Sequence, residues 1–271
     1  MLESISKRGT IMRLLFIRHG DPDYTNDTLT EKGHREAKLL ADYLSSFHID
    51  EAYVSPLGRA QDTADYSLAA LGIEAETVDW LQEFPGIVDA NISKDAREAY
   101  KTELSIDEST GLYQTRIMWD MLPSYYCNHP ELFEANKWRS SHLLDGSNIL
   151  KTYDNVIAKF DQLLAEHGYV NNGLAYKVKS SNEKTIAFFC HYGITSVLLS
   201  HLWNTSPFVP LQFIALAPTS ITEAVSEERQ EGITIFRTIR LGDISHLSIG
   251  KEEPSFSARF CETYSNKEQR H

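Results

Sequence analysis

Met12 to Ile17 form an apolar run that stops abruptly at Arg18, His19 and Gly20, and no other junction constrains the chain as much. A short apolar run closed by a turn signal reads as a buried strand. This one delivers a cation and an imidazole to the strand's mouth, where desolvated polar side chains need a partner or a task. An imidazole beside a guanidinium is suited to accepting a phosphoryl group from an anionic ester.

The rest of the chain continues the alternation that this strand begins. Ala37, Leu40, Ala41, Leu44 and Phe47 share one face of a helical pattern with Thr30 as its N-cap. Glu51 to Val54 reads as a strand, Ser55-Pro56 opens a helix to about Leu71, and a third short strand is expected around Glu76 to Trp80. Tyr153, Val156, Ile157, Phe160, Leu163 and Leu164 make another amphipathic helix, closed at His167-Gly168. Thr185 to Cys190 reads as a strand buried on both faces, followed by a helix from near Ile194. The pattern predicts an α/β fold, a three-layer α/β/α sandwich with a mostly parallel central sheet. One domain over 12–250 is expected, with terminal extensions at 1–11 and 251–271. Across 86–145 the alternation fails, and Trp119, Tyr125, Tyr126, Phe133 and Trp138 mark a helical insertion. It either buries its own aromatic rings or serves as a lid.

Composition narrows the partners. A net charge of -12 over 271 residues repels nucleic acid and acidic membranes, so an anionic substrate needs a local positive pocket. Cys127, Cys190 and Cys261 show no CxxC spacing, which argues against a disulfide framework or a zinc site and for a reducing, cytoplasmic setting. The N-terminal stretch lacks the small-residue cleavage pattern of a signal peptide, and no apolar run is long enough to span a bilayer.

Ligands of parallel sheets sit outside the carboxyl ends of the strands. Arg18 and His19 follow the first strand, Arg59 the second, Glu83 the third, and His191 the Thr185 to Cys190 strand, which predicts that they share one rim. His19 is expected to attack phosphorus with one ring nitrogen while a hydrogen bond holds the other. Arg18 and Arg59 match the oxygens of a phosphoryl group in flight, and His191, if protonated, donates to the same oxygens. Glu83, beside Phe84 and Pro85, is the candidate that protonates the leaving alkoxide.

Ile17-Arg18-His19-Gly20, Leu29-Thr30-Glu31-Lys32-Gly33, Ser55-Pro56-Leu57-Gly58-Arg59-Ala60-Gln61-Asp62-Thr63-Ala64, Leu81-Gln82-Glu83 and Cys190-His191-Tyr192-Gly193, in that order, resemble the histidine phosphatase superfamily in its phosphoglycerate-mutase-like branch. The resemblance implies an α/β/α fold, a phosphohistidine on His19, a phosphate pocket of Arg18, Arg59 and His191, Glu83 as proton donor, and neither metal nor cofactor. Where many members carry an Asn after the first motif, this chain offers Thr25 or Asn26 as a phosphate ligand. Tyr192 replaces a residue that is usually small, so the loop after His191 is shaped differently or the tyrosine lines the pocket. His246 reads as structural. The basic segments with which the mutases hold a second acidic group are not recognisable, which favours hydrolysis of a small phosphate ester over mutase-type transfer. A third reading is a catalytically weak module that binds a phosphorylated ligand.

Overall fold

The computed structural model describes residues 11–256 and Ser265. Cys261 and most of the two expected terminal extensions lie outside the described residues. In chain order the elements are β1 (Arg13–Arg18), β2 (Pro22–Asp23), β3 (Thr28–Leu29), α1 (Glu31–Leu44), β4 (Glu51–Val54), α2 (Gly58–Leu71), β5 (Glu76–Thr77), β6 (Ile87–Val88), α3 (Lys94–Ala99), β7 (Arg116–Ile117), α4 (Pro123–Tyr126), α5 (Ile149–Glu166), β8 (Tyr169–Asn171), β9 (Tyr176–Val178), β10 (Thr185–Cys190), α6 (Tyr192–Leu202), α7 (Phe208–Phe213), β11 (Ile221–Gln230), β12 (Ile233–Asp243) and α8 (Ser245–Gly250). The described residues fall into two compact units, 11–82, 161–191 and 215–256 in one, 83–160 and 192–214 in the other.

The first unit is built on an eight-stranded sheet in the order β5-β4-β10-β1-β11-β12-β9-β8. From β5 to β1 neighbouring strands run parallel, and from β1 to β8 they run antiparallel. The sheet is therefore mixed, where the sequence pattern predicted a mostly parallel one. The reason is local: only Glu231 and Gly232 join β11 to β12, Gly232 has φ +78°, and a two-residue link can join only antiparallel neighbours. Both faces of the central strands are buried, which explains why β1 and β10 read as continuous apolar runs. On one face Leu15 and Ile17 of β1, Ala187 and Phe189 of β10, and Ala52 and Val54 of β4 pack with Leu40 and Leu44 of α1 and Ala60 and Ala64 of α2. On the other, Phe16, Phe188 and Tyr53 stack in a row, with ring centroids 5.3 and 5.7 Å apart.

Strand register positions the site. Arg18 pairs with Cys190 across β1 and β10, so His19 and His191 leave the sheet side by side. Val54 pairs with Phe189, and the Ser55 N–H donates to the Phe189 carbonyl, which puts Ser55 level with the end of β10. The predicted N-cap of α1 is in place, with the Thr30 hydroxyl accepting from the Gly33 N–H. The third predicted strand shortens to two exposed residues, Glu76 and Thr77, before a single helical turn over Asp79–Leu81.

The second unit has short elements and large buried rings. Its 83–148 stretch holds α3, α4 and three one-turn helices, Pro130–Phe133, Lys137–Ser140 and His142–Leu144. Trp138 is buried edge-on to Tyr153 and Phe208 and donates its indole N–H to the Ala135 carbonyl at 3.1 Å. The Ser93 hydroxyl caps α3 at Ala96 and donates to the His142 carbonyl, tying two of these turns together. No helix among the described residues is long and apolar enough to cross a membrane.

Candidate active site

His19 and His191 are both buried, and their ring centroids stand 5.1 Å apart at an interplanar angle of 57°. His19 Nδ1 lies 2.7 Å from the Gly20 carbonyl, an acceptor only, so Nδ1 carries the proton and Nε2 keeps its lone pair. Burial, with Arg18 and His191 beside it, holds the His19 imidazole well below its ordinary pKa. Burial, then Arg59 and Arg18, does the same to His191. The lowered pKa values favour the neutral form of both rings. A neutral His191 donates from one nitrogen only. Its Nε2 lies 2.8 Å from the Ser55 hydroxyl, and its buried Nδ1 has no hydrogen-bond partner among the described residues.

Two guanidinium groups supply the positive charge. Arg18, at the end of β1, donates from Nη1 to the Leu216 carbonyl. Arg59, in the first turn of α2, donates from Nη1 to Asp27 at 2.6 Å, while its buried Nε has no partner among the described residues. Asp27 also accepts the Gly58 N–H at 2.7 Å, so one carboxylate caps α2 and orients Arg59. A Cβ at position 58 would come within 2.0 Å of the Asp27 carbonyl, which requires glycine there. Tyr24 lies against the Arg59 guanidinium, 5.4 Å from ring centroid to the carbon. Thr25 and Asn26 are exposed, and their backbone N–H groups and the Asn26 amide donate to Asp23. The loop thus brings Asp27 and Tyr24 to Arg59, and the backbone N–H groups of Thr25 and Asn26 and the Asn26 amide to Asp23.

Further residues hold the backbone around His19. The Gly20 N–H donates to the Thr63 hydroxyl at 2.9 Å, and that hydroxyl donates to the Arg59 carbonyl, joining the loop after β1 to α2. The Thr219 N–H donates to the His19 carbonyl at 3.0 Å, and Ser220 accepts the Arg18 N–H. Thr219 stands at φ +58°, a left-handed conformation that costs a β-branched residue ~1–3 kcal/mol. His246 secures it by donating from Nε2 to the Thr219 hydroxyl at 2.9 Å, and burial pushes the His246 imidazole down to about 4. Glu36 of α1 accepts the Asp21 N–H at 2.9 Å and the Ser255 N–H at 3.0 Å, and burial pushes its carboxyl up to about 7. Ser55, Thr63, Asp27 and Thr219 carried no assigned role in the sequence. Small polar side chains become functional through burial and distance, neither of which a local pattern encodes.

Glu83 opens the second unit, where its Oε1 accepts the Phe84 N–H at 2.8 Å and the Ile194 N–H at 3.1 Å. It therefore caps the N-terminus of α6, a favourable place for a carboxylate. Gly193 makes this possible, because a Cβ there would meet Glu83 Oε1 at 2.7 Å and the Trp119 ring at 3.0 Å. Tyr192 is buried, and its hydroxyl lies 2.8 Å from the Leu211 carbonyl and 3.1 Å from that of Ile214 at the end of α7. Its ring meets Trp119 edge-on at 6.0 Å.

Residues 14–111 match the model of the histidine phosphatase superfamily, branch 1. No curated protein matches the chain. Among solved structures, a phosphoserine phosphatase mutant from Entamoeba histolytica in complex with phosphoserine is similar with a TM-score of 0.53 at 17% identity, covering 87% of this chain and 99% of that one. A mycobacterial glucosyl-3-phosphoglycerate phosphatase is similar with a TM-score of 0.52 at 15% identity, over 86% of this chain and 99% of the other. A phosphoglycerate mutase from Bacillus anthracis str. Sterne gives a TM-score of 0.50 at 18% identity, over 90% and 98%. At these identities the likeness is one of fold.

Proposed function

We propose, from the match of residues 14–111 to the histidine phosphatase superfamily, that the protein is a metal-independent phosphatase that hydrolyses a small phosphomonoester through a phosphohistidine on His19. The observation that carries the reading is the state of His19: neutral, with Nδ1–H committed to the Gly20 carbonyl and the Nε2 lone pair uncommitted by that bond, beside two guanidinium groups and a second neutral imidazole. Those are the requirements of a nitrogen nucleophile facing a phosphoryl dianion.

In the first step His19 Nε2 bonds to phosphorus as the ester P–O bond breaks. The leaving alkoxide takes a proton from Glu83, and Arg18, Arg59 and His191 hold the equatorial oxygens. In the second step the Glu83 carboxylate takes a proton from water as its oxygen bonds to phosphorus, the N–P bond breaks, and phosphate departs. The assignment of Glu83 is supported by its place in the Leu81-Gln82-Glu83 segment, after the second arginine motif in chain order. The two phosphatases among the similar folds act on phosphate esters of small molecules, and the same substrate class is proposed here.

Alkaline quench of the protein during turnover of phosphorus-labelled ester tests the mechanism. The expected result is a base-stable, acid-labile label that is absent from His19→Ala, whose turnover falls by roughly 10⁴-fold or more. Retained turnover in His19→Ala overturns it. Free phosphate as the product, rather than a rearranged ester, separates hydrolysis from mutase transfer.

A further inference from the structure

His191 enters the proposed reaction as a hydrogen-bond donor, yet burial beside Arg59 and Arg18 leaves it neutral, with one ring proton to give. Which nitrogen carries that proton decides whether the ring attracts or repels an anionic oxygen. Nε2 is engaged at 2.8 Å by the Ser55 hydroxyl, so Nδ1, buried and without a partner among the described residues, is the nitrogen left for a ligand. Ser55 is itself fully buried at the end of β4, and its oxygen accepts the Leu57 N–H at 3.3 Å. Among the described residues that hydroxyl has no other acceptor for its proton, which leaves His191 Nε2 to receive it.

We propose that Ser55 is a positioning residue that donates to His191 Nε2 and thereby confines the imidazole proton to Nδ1, where it meets a phosphoryl oxygen. The opposite arrangement, Nε2–H donating to Ser55, turns the Nδ1 lone pair toward the anion. A partner on the far nitrogen is the general means by which a protein sets a histidine tautomer. It also explains how the site offers a third donor to phosphate without burying a third cation beside two arginines. The inference deepens the proposed phosphatase reading and rests on it for the identity of the anion.

The test is nitrogen-15 NMR of the histidine rings at pH 7, with and without inorganic phosphate, on the full chain and on Ser55→Ala and Ser55→Thr. The wild-type His191 ring is expected to carry its proton on Nδ1 in both states. Ser55→Ala is expected to shift the proton toward Nε2 and weaken phosphate binding about tenfold, the equivalent of one hydrogen bond. Ser55→Thr, which keeps the hydroxyl, restores both. A wild-type ring protonated on Nε2 overturns the proposal without recourse to any variant, and so does a Ser55→Ala protein that keeps both the Nδ1 proton and its phosphate affinity. These readouts need no turnover. A chain that shows the Nδ1 tautomer and binds phosphate but hydrolyses no ester refutes the phosphatase reading and leaves the role of Ser55 standing.

Discussion

The two units bury different kinds of side chain. At the strand ends of the first, Arg18, His19, Arg59 and His191 are withdrawn from water together, and Glu36 and His246 lie nearby in the same condition. The second spends its interior on Trp138, Tyr100, Phe160 and Phe208 and keeps most of its charges at the surface, as Arg139 with Asp154 and Lys137 with Glu134 show. Buried cations and imidazoles oppose stability unless other contacts hold them, whereas buried rings supply it. The first unit therefore holds its poised groups with backbone donors and a strained turn at Thr219, and the second holds its short helices with aromatic contacts.

Substitutions can break or sharpen that contrast. Trp138→Ala removes the central ring of the second unit and is expected to cost ~3–5 kcal/mol in denaturant-induced unfolding. A loss below about 1 kcal/mol would dissolve the distinction. Arg59→Lys keeps a cation but loses the fork that serves Asp27 and leaves Nε for a ligand. It should lower phosphate release by roughly 10²-fold while shifting unfolding little.

Glu36 supplies a finer test through pH. Its carboxyl, at about 7 in the fold against an ordinary 4.5, binds its proton more tightly when folded. It contributes stability that is complete below about 4.5 and is lost as pH rises through about 7. The loss is of order 3 kcal/mol. His19, His191 and His246, whose imidazoles are lowered, act in the opposite sense and remove stability as pH falls below the ordinary histidine range. Unfolding free energies of the native chain and Glu36→Gln from pH 5 to 8 should diverge toward the alkaline end in favour of the variant. Parallel curves would show that Glu36 ionises in the fold as it does in water.

The same contrast explains what could be read before folding. β1 and β10 were legible because burial on both faces leaves an unbroken apolar run, and α1 because Ala37, Leu40, Ala41 and Leu44 recur at helical spacing behind Thr30. The site residues at those strand ends were legible for the same reason, since register carries Arg18 and His19 to His191. β11 and β12 escaped notice because Glu227, Glu228, Arg229, Arg237 and Arg240 interrupt them with exposed or half-exposed charge. The one-turn helices around Trp138 are too short to show a period. Tyr192 could be flagged as unusual, but only tertiary placement reveals that its hydroxyl serves the carbonyls of α7.

The position of β1 within its sheet bears on when its strand end is enclosed. β1 precedes every other strand of its sheet in the chain, yet its two neighbours are β10 and β11, which are complete only once the chain has reached Gln230. Until the ribosome has passed that residue, Arg18 and His19 lack one or both of the strands that flank β1 in the fold, so the arrangement at its end depends on pairing with segments far along the chain.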